Sequence, residues 1–133
     1  MADAVGIDST GIAAGLAAYR PVGMRGAVRQ IGRLTLVADC YNANPESFEA
    51  AIEYCVNAFP DRRLTAVVGS MLELGSQSDS AHEHIARALI EAGFSRVVAL
   101  GKFRPAFDTL SETTNGTRVT SVARPDEAVA ALV

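Results

Sequence analysis

The residues best suited to chemistry begin at the end of a short apolar, partly β-branched run, residues 34–38, which predicts a buried strand. Asp39 follows that run directly, and the chain continues Cys40-Tyr41-Asn42-Ala43-Asn44. If the run is a strand of an open α/β sheet, Asp39 lies at the ligand-binding edge, where acidic side chains hydrogen-bond ribose hydroxyls. Alternatively, Asp39 accepts hydrogen bonds from backbone N–H groups of its own loop. The sequence leaves both roles open.

Two asparagines lie in the same segment. Asn44 precedes Pro45 and suits the N-cap of a helix, where its side chain accepts hydrogen bonds from backbone N–H groups. Asn42 has no comparable local role, and we interpret it as a polar contact to a ligand.

A cation lies earlier in the chain, in Gly23-Met24-Arg25-Gly26. A guanidinium is always charged and its forked donors match phosphate oxygens, so Arg25 is a candidate phosphate contact. Taken alone, an arginine beside glycines is more often a solvated surface residue. We expect Arg25 and Asp39 to project from neighbouring strand ends into one crevice.

A second unusual loop is Ser70-Met71-Leu72-Glu73-Leu74-Gly75, followed by Ser78 and His82. Its three apolar residues indicate packing, and Glu73 requires a polar partner. His82 falls near the start of a predicted helix, where we expect it to be exposed. Serine, histidine and glutamate could form a hydrolytic triad, but no Gly-x-Ser-x-Gly turn is present, which argues against a hydrolase.

The loops that hold nucleotide phosphates in self-contained sites are missing from this sequence. It contains no Gly-x-x-x-x-Gly-Lys-Ser/Thr segment, and no Gly-x-Gly-x-x-Gly follows the first strand. These residues therefore indicate an α/β domain with a polar crevice that supplies half of a site.

Composition excludes several other classes of protein. The 133 residues are 49% hydrophobic with a formal net charge of -3, which is typical of a globular domain and unlike a nucleic-acid-binding surface. We predict no membrane span, no signal peptide and no metal site. The two cysteines, Cys40 and Cys55, are expected to be free thiols in a reducing cytoplasm.

Apolar periodicity predicts an alternation of strands and helices. Predicted strands cover Gly26–Gln30, Leu34–Ala38, Leu64–Gly69, Arg96–Leu100 and Arg118–Val122, and predicted helices cover Asp8–Tyr19, Pro45–Phe59, Asp79–Ala92, Phe103–Leu110 and Pro125–Leu132. The third of these helices is expected to end at Gly93 and to face the core with Ala81, Ile85, Ala88, Leu89 and Ala92. This order predicts an α/β, Rossmann-like fold with a mostly parallel sheet and helices on both faces. Ligand-binding loops are then expected at Asp39–Asn44, Ser70–Ser78 and Gly101-Lys102.

Two of these loops carry long motifs. The segment Asp39-Cys40-Tyr41-Asn42-Ala43-Asn44-Pro45-Glu46-Ser47, with Ala50-Ala51, resembles the D-x-Y-N-A-N-P-x-S…A-A signature of MurF ligases. The segment Val67-Val68-Gly69-Ser70-Met71-Leu72-Glu73-Leu74-Gly75, with Ser78 and His82, resembles the family's V-L-G-D-M-L-E-L-G…S…H. Tyr19 to Arg25 is similar to the family's entry into its C-terminal domain. The resemblance covers about residues 8–101.

The resemblance implies a function. MurF ligases use ATP and Mg²⁺ to add D-alanyl-D-alanine to a UDP-N-acetylmuramoyl tripeptide in peptidoglycan synthesis in the cytoplasm. Residues 1–20 would then end a preceding domain, and residues 21–133 would be the third domain, which closes on a central ATPase domain and is inactive alone.

The resemblance also implies roles for particular residues. Arg25 would be the catalytic contact to the ATP phosphates, and Asp39 and Asn42 would also bind the nucleotide. Asn44, Glu73 and His82 would face the substrate.

Three features depart from the family pattern. Ser70 stands where the family has Asp, the chain ends before a G-D-x-V-L-V-K-G-S-R segment, and the central domain's phosphate-binding loop, metal ligands and lysine are absent. Two alternatives stay open: the C-terminal domain of another Mur-superfamily amide ligase, and a stand-alone Rossmann-like nucleotide-binding or regulatory module.

Overall fold

The computed structural model describes residues 6, 8–20, 23–110 and 114–132. The chain divides into two compact units, Met1–Tyr41 and Asn42–Val133, and we describe each by itself. Part of the predicted turn at residues 113–116 and two residues of the Arg20–Gly23 helix break lie outside the described residues.

The first unit contains one helix and one hairpin. Helix α1 covers Ser9–Ala18 and begins at Asp8, whose side chain accepts a hydrogen bond from the Gly11 N–H at 2.7 Å. Strands β1 (Ala27–Ile31) and β2 (Leu34–Ala38) pair antiparallel. Gly32, with φ 57°, takes the first central position of their two-residue turn, where a type II′ hairpin turn places glycine.

The exposure of β2 differs from the sequence prediction. We predicted that Leu34–Ala38 is a buried strand, but Leu34 is 71% exposed, Leu36 is also exposed, and Ala38 is buried. The strand pairs with β1 in a two-stranded sheet and not with a parallel neighbour. The apolar residues of β2 therefore indicate a preference for the strand conformation and not burial on both faces of a sheet.

The second unit is an α/β layer structure. In chain order its elements are α2 (Pro45–Ala58), β3 (Thr65–Val68), a short 3₁₀ turn (Gly75–Gln77), α3 (Ser78–Glu91), β4 (Arg96–Ala99), α4 (Phe103–Asp108), β5 (Arg118–Ser121) and α5 (Pro125–Leu132). The three strands form a parallel sheet in the order β3-β4-β5.

The central strand β4 supplies both faces of this sheet. Val97 and Ala99 belong to the larger core, which α2, α3 and α4 cover. Val98 points to the opposite side and packs with Val122, which directly follows β5 (Arg118–Ser121), and with Ala128 of α5. Because side chains alternate along a strand, helices lie on both faces, and the predicted α/β fold with a parallel sheet is confirmed.

Helix α2 begins as the sequence predicts. The Asn44 Oδ1 accepts a hydrogen bond from the Ser47 N–H at 2.8 Å, and the Ser47 Oγ accepts one from the Asn44 N–H at 3.1 Å. Pro45 fills the first helical position, where no backbone N–H is required. These contacts form a reciprocal capping box.

We expect Asn44→Ala to lower the free energy of unfolding by about 1 kcal/mol, because the first turn of α2 loses its side-chain acceptor. Asn42→Ala is the matched control, since Asn42 is an exposed asparagine two residues earlier and should change stability by less than about 0.5 kcal/mol. Urea denaturation of both variants measures the difference. Equal effects would contradict the capping role.

The inward face of helix α3 is wider than predicted. Ile85 and Leu89 are buried as predicted, but His82, Ala86 and Ile90 also face the core. The helix ends in the hydrogen-bond pattern of a Schellman motif, with Gly93 in the left-handed region at φ 79°. The predicted glycine stop is confirmed, whereas the predicted exposure of His82 is wrong.

Candidate functional site

The open end of the β1–β2 hairpin holds the two nucleotide candidates of the first unit. Ala27 pairs with Ala38 in the strands, and the Cys40 N–H donates to the Met24 carbonyl at 2.8 Å beyond them. Arg25 and Asp39 are therefore at the same end of one hairpin. That placement agrees with the predicted neighbouring strand ends, and the shared crevice stays a prediction.

Arg25 is stacked on an aromatic ring. Its Cζ lies 3.4 Å from the centroid of the Tyr41 ring, which is the geometry of a cation–π contact. Both residues are exposed, Tyr41 by 70%. The ring therefore restrains the guanidinium while leaving it accessible, which suits a cation that binds an incoming anion.

Asp39 makes the local contact that we considered as the alternative to ligand binding. Its Oδ1 accepts a hydrogen bond from the Gly26 N–H at 3.1 Å. The residue is nevertheless exposed, so the carboxylate remains open to solvent. A carboxylate accepts several hydrogen bonds at once, and this loop contact is compatible with a further bond from a hydroxyl group.

In the second unit, a hydrogen bond joins the loops that follow the carboxyl ends of β3 and β4. The Ser70 Oγ accepts a hydrogen bond from the Lys102 N–H at 2.9 Å. Gly101 precedes Lys102 and has φ 56°, and a Cβ at this position would collide with the Ser70 Oγ. Position 101 therefore requires glycine, because its backbone is in the left-handed region and because a side chain would collide with Ser70. Ser70, the departure from the family pattern, is thus a structural acceptor here.

An ion pair lies beside this edge. The Lys102 Nζ donates to the Asp79 Oδ1 at 2.9 Å, and this hydrogen bond, together with the lysine charge, holds the pKa of Asp79 below its ordinary value. A shallow groove of about 160 Å³ runs from this pair between α3 and α4, bordered also by Glu83 and Thr109. Both partners of the pair are largely exposed, so its contribution to stability is small.

The loop between β3 and α3 presents Glu73 to solvent. Glu73 is exposed and adopts φ 63°, a left-handed conformation that is uncommon for a residue other than glycine. Leu72 beside it is 73% exposed, whereas Met71 is 2% exposed. The predicted packing therefore holds for Met71 and Leu74 but not for Leu72, and the Glu73 side chain is exposed to solvent.

His82 is fully buried, and both of its ring nitrogens contact the backbone. The Nε2 accepts a hydrogen bond from the Met71 N–H at 2.9 Å, and the Nδ1 lies 2.6 Å from the Ser78 carbonyl oxygen. Because an N–H only donates, Nε2 carries no proton and Nδ1–H donates to Ser78. Both polar atoms of the ring are occupied, so His82 can influence a ligand only through the loop that it holds.

The two asparagines differ in whether the side chain already has a hydrogen-bonding role in the fold. Asn44 uses its side-chain oxygen to cap α2, while Asn42 is exposed. Lys102 and Gly101 were not among the predicted site residues, although their loop was among the predicted ligand-binding loops. The only signal was a Gly-Lys pair directly after a strand.

Within the described ranges 6, 8–20, 23–110 and 114–132, no helix combines the length and the apolar composition that a membrane span requires. Those ranges also contain no group of three or more histidine, cysteine or acidic side chains arranged to hold a metal ion. The Cys40 and Cys55 thiols are free, and burial raises the pKa of Cys55.

Comparison with known proteins decides the family. Residues 24–133 match the family model described as Mur ligase, glutamate ligase domain. The chain belongs to this Mur ligase domain family. The MurF resemblance of the loop motifs is confirmed by the curated relatives, which are UDP-N-acetylmuramoyl-tripeptide–D-alanyl-D-alanine ligases. The Escherichia coli K12 protein is 36% identical over 108 residues, covering 80% of this chain. The Rickettsia prowazekii protein is 35% identical over 79 residues, covering 59% of this chain.

Solved MurF structures have the same fold. A crystal structure of MurF from Acinetobacter baumannii matches 98% of this Mur ligase domain with a TM-score of 0.80 and 27% identity. MurF ligase from Thermotoga maritima, solved in complex with ADP, matches 88% of it with a TM-score of 0.66 and 30% identity.

This Mur ligase domain spans only part of these proteins. It corresponds to 17% of the length of the Rickettsia relative and 24% of the Escherichia coli relative. It likewise covers 27% of the Acinetobacter chain and 26% of the Thermotoga chain.

Proposed function

We propose that this chain is the C-terminal domain of an ATP-dependent ligase that adds D-alanyl-D-alanine to a UDP-N-acetylmuramoyl tripeptide in peptidoglycan synthesis in the cytoplasm. The observation that carries the proposal is the Asp39–Ser47 motif, which resembles the MurF signature and begins at the hairpin end that bears Arg25. Residues 1–20 would end the preceding domain, and residues 21–133 would form this one.

Arg25 and Asp39 suit the nucleotide. Arg25 would contact an ATP phosphate, because its stacked guanidinium presents a delocalised charge in a restrained position. Asp39 would accept a hydrogen bond from a ribose hydroxyl in addition to the bond from the Gly26 N–H. Asn42, which is exposed, would add a polar contact to the same ligand.

Asn44, Glu73 and His82 would serve the substrate side in different ways. The exposed Glu73 carboxylate can accept hydrogen bonds directly from an amine. The Asn44 Oδ1 already caps α2, so any ligand contact would use its amide NH₂ group. The buried His82 would act through the β3–α3 loop.

In the reaction that the resemblance implies, the γ-phosphoryl group of ATP passes to the tripeptide carboxylate. The dipeptide amine then attacks that carbonyl carbon, phosphate leaves, and the amine loses a proton. ATP and Mg²⁺ would be held mainly by a central domain. This chain would supply Arg25, whose fixed charge stabilises the negative charge that develops during phosphoryl transfer.

The decisive experiment measures ADP release by the full-length protein. We expect release that requires both the UDP-linked tripeptide and D-alanyl-D-alanine. Release with a different amino acid or dipeptide in place of D-alanyl-D-alanine would identify another Mur-superfamily ligase. No release with any acceptor would overturn the proposal.

Titration of the 133-residue chain with ATP-Mg²⁺ separates this proposal from a stand-alone nucleotide-binding module. We expect no heat attributable to tight binding, because the sequence contains no phosphate-binding loop. A dissociation constant in the micromolar range would favour the stand-alone module.

A further inference from the structure

The loop that joins β3 to α3 (residues 69–77) is anchored on both sides of a two-residue tip, Leu72–Glu73. Before the tip, the Ser70 Oγ accepts the Lys102 N–H, and the Met71 side chain is buried in the core. After it, Leu74 packs against the same core. Leu72 and Glu73 are therefore an exposed pair between two residues that pack into the core, and residues 75–77 that follow are exposed as well. The pair lies at the carboxyl edge of the parallel sheet, which is where open α/β sheets bind ligands.

The conformation of the tip requires support. A glutamate in the left-handed region persists only where its surroundings determine the backbone. The exposed Glu73 side chain does not itself anchor the backbone in the core. The determining contacts must therefore come from the residues that flank the tip.

One buried ring supplies such a contact before the tip. His82 lies on α3, and its Nε2 accepts a hydrogen bond from the Met71 N–H. Its Nδ1 donates to the carbonyl of Ser78, the first residue of the same helix, so the ring is fixed on α3 and links Met71 to that helix. The ring also makes an edge contact with Phe103, with centroids 4.8 Å apart. Aliphatic replacements would fill the space but could not bond both backbone groups.

We propose that His82 is a positioning residue that holds the Leu72–Glu73 tip for the amine-bearing dipeptide substrate. Glu73 accepts hydrogen bonds from the free amino group, and Leu72 contacts the small apolar side chains. The inference rests on the proposed ligase function and assigns the tip to the incoming dipeptide rather than to ATP. His82 itself does not touch the substrate.

The test is a double-mutant cycle in the full-length ligase, with KM for D-alanyl-D-alanine and for ATP measured separately. We expect Glu73→Gln and His82→Leu each to raise the dipeptide KM about 10-fold, because a group displaced by a fraction of an ångström loses its contact. The ATP KM should change less than about twofold. The double variant should be no worse than the more severe single variant, since both act through one contact.

Two variants serve as controls. His84→Leu alters a histidine on the same helix whose ring pairs with Glu49 at 2.6 Å, and it should leave the dipeptide KM unchanged. His82→Gln keeps one acceptor and one donor in the buried position, and we expect it to recover part of the loss. Should His82→Leu fail to fold, Glu73→Gln still tests the contact, because its exposed side chain is not required for the core.

Three results would overturn the inference: an unchanged dipeptide KM in Glu73→Gln, an ATP KM that rises as much as the dipeptide KM, or additive effects in the double variant. Failure of the proposed function is distinguishable, because wild-type protein would then release no ADP in response to D-alanyl-D-alanine.

Discussion

Under the proposed ligase function, replacing Arg25 with alanine in the full-length protein is expected to lower kcat by about 10²- to 10³-fold, as removal of a preorganised transition-state donor does. The guanidinium is stacked on Tyr41, so its charge is in place before the phosphate arrives. Arg25→Lys should recover only part of the rate, because an ammonium keeps the charge but lacks the planar fork. Steady-state ADP release measures both variants.

Arg29→Ala is the matched control for this prediction. Arg29 is an exposed arginine on β1 of the same hairpin, opposite Leu36 in the strand pair. Its removal also lowers the net positive charge of the hairpin by one, so it tests for a general electrostatic effect. If Arg29→Ala slows the enzyme as much as Arg25→Ala does, the assignment of Arg25 to the phosphate is wrong.

Gly101→Ala is expected to lower the free energy of unfolding by about 2–5 kcal/mol. About 1–2 kcal/mol comes from placing alanine in the left-handed region, and about 1–3 kcal/mol from the collision of the new Cβ with the Ser70 Oγ. The measurement is denaturant unfolding followed by circular dichroism. Because small domains are stable by only about 5–15 kcal/mol, this single methyl group is a large change.

A comparison with Gly93→Ala separates the two contributions. Gly93 has φ 79° and open space around it, so alanine there should cost the conformational part alone, about 1–2 kcal/mol. The double variant Ser70→Ala/Gly101→Ala should regain stability relative to Gly101→Ala, since the Ser70 Cβ would lie 3.4 Å away. Equal losses at Gly93 and Gly101 would show that the collision is relieved without cost.

Local signals predicted most elements of the fold. The Asn44-Pro45 cap and the Gly93 stop act within one helical turn, and both are in the structure as expected. The alternation of strands and helices from Leu64 onward was likewise sufficient to predict a parallel sheet, because each connection contains a helix that must return the chain to the same edge.

Contacts between residues far apart in the sequence could not be predicted from local patterns. The pairing of β1 with β2 depends on a turn at Gly32 that favours a hairpin over a separate strand. His82 was expected on the surface because no local pattern shows that its ring accepts the Met71 N–H, eleven residues earlier in the chain. The roles of Arg25, Asp39 and Glu73 remain predictions, since they concern ligands.

The hydroxyl at position 70 also affects which ligands this edge of the sheet tolerates. Ser70 receives the Lys102 N–H without adding a formal charge, whereas an aspartate, as in the MurF pattern, would add a negative one. Like charges repel more strongly near a protein surface than in bulk water, and dissolved salt weakens the repulsion. An anionic group should therefore approach this chain with less repulsion than a relative with aspartate, and the difference should shrink as ionic strength rises.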